Sequence, residues 1–119
     1  MKIDVNKDYS QERWFVMKSG TTEQDGDPEL LIRTYPTSKE EFIGRTDGSL
    51  VLTGKNLFDK FSYCLVNWKN IKDDKDQELP CNDDVKKIVY DNALGGIPVF
   101  VNECLQQIVE EREADRKNS

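Results

Sequence analysis

LVNWKNIKDDKDQELPCNDD, residues 65–84, is the stretch whose reading sets the rest of the chain. Trp68 stands at the end of an apolar-periodic segment and Ile71 follows it. A run of acids around Lys75 comes next, then Leu79-Pro80 and a helix-start signal at Asn82. The pattern predicts a helix end, an exposed acidic turn and entry into a second helix. Upstream, from Lys55, the residues Leu57, Phe58, Phe61, Cys64, Leu65 and Trp68 recur at helical spacing and read as one wide apolar stripe. Downstream, Asn82 is placed to cap, and Asp83 and Asp84 suit the positive end of the helix dipole. Val85, Ile88, Val89 and Ala93 give that helix its expected buried face, and Gly95-Gly96 its stop. Pro98 fits the first turn of a last helix whose stripe is Ile97, Phe100, Val101, Cys104, Leu105 and Ile108.

The first third reads differently. RWFVMK (13–18) and ELLIRTY (29–35) are rich in aromatic and branched residues, and Gly20, Asp25-Gly26 and Pro28 lie between them. That is a β-hairpin on a long loop. Alternation is expected to put Trp14, Val16, Leu30 and Ile32 on one face and Phe15, Met17 and Leu31 on the other. The second set is too apolar for a solvated sheet face, which makes Phe15, Met17 and Leu31 the candidate partner-binding residues. After Pro36, Thr37-Ser38-Lys39-Glu40 has capping-box spacing and predicts a short helix ending near Gly44. Asp47-Gly48 marks a turn, and Ser49–Thr53 reads as a short third strand. The expected fold is therefore α+β: an N-terminal β-hairpin, with a third short strand at 49–53, packed with three to four α-helices. One domain spans 1–119, with residues 1–11 and 110–119 expected to fray.

Bulk chemistry narrows the function. The chain carries 17 basic and 23 acidic residues, a net charge of −6, with no basic cluster. Nucleic acid binding needs a basic face, so none is expected. No apolar run approaches the length of a membrane span, and the Met1-Lys2-Ile3-Asp4 start has no hydrophobic signal core. Histidine is absent, which removes the commonest general base and metal ligand together. Cys64, Cys81 and Cys104 form no close pair and read as reduced thiols, two of them small core residues. Cys81, at a helix start, is the one reactive-thiol candidate, but three acids beside it disfavour the thiolate. A calcium loop begun at Asp74 would need glycine at Leu79 and glutamate at Val85. No catalytic residue, cofactor or metal site is expected.

The segment Trp68-Lys69-Asn70-Ile71-Lys72-Asp73, its acidic turn and Glu78-Leu79-Pro80-Cys81-Asn82 resemble a phrase found in phage and prophage tail assembly chaperones. In that family the phrase runs Trp, two residues, Ile or Val, one residue, Asp, an acid/Gly turn, Leu or Ile then Pro, an aromatic, and a helix cap. The strand phrase Leu31-Ile32-Arg33-Thr34-Tyr35-Pro36-Thr37 is similar in kind, so the likeness spans Trp14 to Asn82. This chain departs from it at Asp76-Gln77, where the family has Asp-Gly, and at Cys81, where it has an aromatic. The resemblance implies a non-enzymatic protein of the host bacterial cytoplasm. Its partners would be the tape-measure protein and tail tube subunits, and a homo-oligomer stays open. Trp68, Ile71, Asp73, Leu79 and Pro80 would be the structural anchors of the phrase. The competing expectation is a small bacterial ligand-binding or regulatory domain unrelated to phage tails.

Overall fold

The structure is a computed structural model that describes residues 1–6, 12–36, 42–44, 50–52 and 54–117. Strands β1 (Glu12–Val16) and β2 (Glu29–Arg33) form the expected hairpin. Two three-residue strands, β3 (Phe42–Gly44) and β4 (Leu50–Leu52), pair with each other as a separate ribbon. Helix α1 (Gly54–Cys64) then runs directly into β5 (Leu65–Lys69). Helix α2 (Asp83–Asp91), a single 3-10 turn (Leu94–Gly96) and helix α3 (Ile97–Lys117) complete the chain. The fold is α+β: a three-stranded antiparallel sheet in the order β1-β2-β5, with three helices.

One face of that sheet holds the core. β2 is central and its Leu30 and Ile32 are fully buried, opposite Trp68 and Leu65 of β5. Helices cover them with Phe61 and Cys64 of α1, Val89 of α2, and Ile97, Val101, Cys104 and Ile108 of α3. The α3 set repeats at four, three and four residues, so it forms one stripe, as the sequence predicts. Each such side chain contributes roughly 1.5–3 kcal/mol when removed from water. The Phe61 and Tyr90 rings pack at a tilt with centroids 5.1 Å apart and tie α1 to α2.

Several expectations need correction. Leu65 and Trp68 belong to a strand, not to the end of the α1 stripe. Phe42 and Ile43 are in β3, where a short helix was expected, while the capping-box residues 37–40 and Asp47-Gly48 lie outside the described residues. The third strand expected at 49–53 is present as β4, but it pairs with β3 and stands apart from the main sheet. On α2 the buried positions are Lys86 and Val89, with Val85 and Tyr90 half-buried, while Ile88 faces water, and Ala93, past the end of the helix, is exposed as well. That helix stops at Asp91, ahead of Gly95-Gly96, and Ala93 takes a left-handed conformation (φ 48°). Helix α3 runs on past its apolar stripe to Lys117, in keeping with a surface sequence that reads as helical at first beyond Val109. Among the described residues no helix is long and apolar enough to cross a membrane.

Candidate functional site

Register decides which hairpin residues share a face. Trp14 lies opposite Leu31, and Phe15 opposite Leu30. Directly opposed residues project to the same side of a sheet, so Phe15 and Met17 sit with Leu30 on the covered face, where both pack against the core. Leu31 lies on the other face with Trp14 and Val16. The structure therefore does not bring Phe15, Met17 and Leu31 together. It brings together Trp14, Val16 and Leu31, flanked by Asn67 and Lys69 of β5. Trp14 is 37% exposed, and the Lys69 Nζ lies 4.4 Å from its ring centroid. This open face is the apolar surface that the sequence located one residue out of step.

The five anchors of the 65–84 stretch form one physical unit. Trp68 is 4% exposed and donates its indole N–H to the Leu79 carbonyl at 2.7 Å. The Leu79 N–H in turn donates to the Ile71 carbonyl at 2.8 Å, and Ile71 and Leu79 both pack on the core. The Asp73 carboxylate accepts from the N–H groups of Lys75 and Gln77 at 2.8 and 3.0 Å, which closes the acidic turn. Asp76 sits there with φ 62°, a left-handed position that glycine occupies at no cost. Pro80 follows, exposed, and Asn82 caps α2 by accepting from the Val85 N–H at 3.0 Å. Trp68, Ile71, Asp73 and Leu79 thus each have a structural task.

A second knot fastens the loop between β1 and β2. Asp27 is buried and accepts from the Gln24 N–H at 2.8 Å and the Ser19 N–H at 3.4 Å. Its own carbonyl accepts from the Asn70 amide at 3.0 Å, which latches the loop to the exit of β5. The Gln24 N–H holds the Asp27 carboxyl below the usual carboxylate range; burial opposes this and Ser19 reinforces it. A carboxyl depressed in the folded state stabilises above its unfolded pKa, and that stability is lost as pH falls through the folded pKa. Asp27→Asn is therefore expected to lower the melting temperature near pH 7 and to flatten the acid limb below about pH 4. Melting curves from about pH 2 to 7 check it; an acid limb as steep as wild type would contradict it.

Among the described residues, clefts border the core at several places. One, of about 510 Å³, runs between β1 and α3 and is lined by Arg13, Phe15, Phe100, Glu103, Cys104 and Glu111 among others. Arg13 bridges it, donating to Glu111 at 2.7 Å with its guanidinium 4.5 Å from the Phe15 ring centroid. Nothing in the sequence marks that pair, which is 98 residues apart. Another cleft lies between α1 and α2, where the buried Lys86 donates to the Ser62 carbonyl at 2.8 Å. Burial pushes the Cys104 thiol up to about 12 and raises Cys81 as well; Lys86 pulls Cys81 back and Asp83 adds to the rise. Both thiols are protonated at neutral pH. Among the described residues no three Cys, Asp or Glu side chains converge to hold a metal ion.

No family model, curated protein or solved structure matches the chain.

Proposed function

We propose that the chain is a non-enzymatic, partner-binding protein of the tail assembly chaperone class, which holds a tape-measure protein soluble until tail tube subunits assemble around it. What supports this reading is the division of labour in the structure. The residues of the family-like phrase are consumed in building the fold, while the hairpin offers Trp14, Val16 and Leu31 on its open face. An apolar patch on an acidic body suits a chaperone: the patch takes apolar helix faces of the client, and the charge keeps the complex in solution. Co-expression with the tape-measure protein of the same gene cluster tests it. The native chain should keep that client soluble. Trp14→Asp with Leu31→Asp should still fold but lose the client, whereas Phe15→Asp should damage the fold itself, because Phe15 packs on the core. A native chain that never retains the client would overturn the chaperone reading.

A further inference from the structure

The outer edge of β1 has no partner strand among the described residues, and its hydrogen-bonding phase can be read from the hairpin. The Met17 N–H donates to the Pro28 carbonyl at 2.8 Å, so Met17 is bonded inward to β2. Bonded and non-bonded pairs alternate along an antiparallel ladder. Arg13 and Phe15 therefore also point their peptide groups at β2. Glu12, Trp14 and Val16 point theirs outward, at the free edge, and the same alternation carried one residue past Met17 assigns Lys18 to the outward set. An exposed edge of aromatic and branched residues is a template for another strand. Arg13, one of the charges along this strand, is held by Glu111.

We infer that this edge pairs with the β1 edge of a second copy of the chain, antiparallel, about a two-fold axis at Phe15. The outward phase requires even-numbered residues to bond to even-numbered residues, which permits only a few registers. Centring on Trp14 sets Glu12 against Val16, and centring on Val16 sets Trp14 against Lys18. Centring on Phe15 sets Glu12 against the second copy's Lys18, twice by symmetry, and Trp14 against Val16, also twice. It also places the two Phe15 rings opposite each other in a non-bonded pair, where side chains approach most closely. Sequence, phase and charge agree on one register. On the outer face the two Trp14–Val16 sets merge into one continuous patch.

A strand seam of this length is small beside the roughly 1,200 Å² of ordinary stable interfaces, so association should be concentration-dependent. The inference does not rest on the chaperone reading. Sedimentation of the purified chain across a concentration series should show a monomer–dimer equilibrium. Lys18→Glu turns both attractive pairs into repulsive ones and should raise the dissociation constant by about tenfold. Glu12→Lys should do the same, and Glu12→Lys with Lys18→Glu in one chain should restore it. The decisive arm mixes the two single variants, because only the heterodimer then has opposite charges at both pairs. It should form more tightly than either homodimer. Both positions are exposed, so melting temperatures taken at dilutions where every variant is monomeric should be unchanged. A native chain that stays monomeric at millimolar concentration overturns the inference. So does a dimer indifferent to these charges, or a mixture that shows no preference for the heterodimer.

Discussion

Trp68→Ala is expected to cost roughly 3–5 kcal/mol, the largest loss from any single truncation in this chain. The indole is 4% exposed, lies opposite Leu30 on the covered face, and sits among side chains from all three helices. Removing it leaves a cavity that a sheet bonded on both sides of β2 cannot collapse to fill. It also releases the Leu79 carbonyl from its 2.7 Å bond, so the 70–79 turn loses its tether. A domain of this size holds about 5–15 kcal/mol in total. Denaturant unfolding followed by circular dichroism should show the loss, and the thermal midpoint should fall by about 10 °C or more. Trp68→Phe should recover most of the packing but not the hydrogen bond, and so fall between. A Trp68→Ala variant within a few degrees of the native chain would mean that the ring is not a core residue.

The second large effect separates neighbours. Leu30→Ala should cost about 2–5 kcal/mol, because Leu30 is fully buried between Phe15 and Trp68. Leu31→Ala should cost within about 1 kcal/mol, since its side chain is half-buried on the open face. The contrast tests the hairpin register itself: a slip by one residue would exchange the two results. Equal losses at both positions would mean that a further layer covers the open face.

This same parity limited what could be read from the chain. Both strands of the hairpin were legible from composition, but the loop of residues 17–28 is too long for turn chemistry to set the register. Only the observed pairing of Trp14 with Leu31 shows that the apolar set facing outward is Trp14, Val16 and Leu31. From sequence, Leu65 and Trp68 read as helix because they stand three apart on one face, and three is close to a helical period. In the structure a bulge creates that spacing. Between Leu31 and Ile32 β2 advances one residue, while β5 advances two, from Asn67 to Leu65. Ordinary alternation would have sent Leu65 and Trp68 to opposite faces. The Asn82 cap and the α3 stripe were legible because each rests on a local pattern, the cap within one helical turn and the stripe within about three. The Arg13–Glu111 bridge and the Asp27–Asn70 latch join distant parts of the chain, and no local pattern announces them.

The two tryptophans have a use beyond packing. They are the only two in the chain, and the fold assigns them opposite environments: Trp68 is sealed under the helices, and Trp14 lies on the open face beneath the Lys69 ammonium. Their emission therefore separates by colour and by access to a soluble quencher such as iodide. The red, quenchable component reports on whatever settles over the sheet, and the blue, shielded one reports on the integrity of the core. A single spectrum can thus distinguish a ligand that binds the outer surface from one that loosens the interior, with no label added.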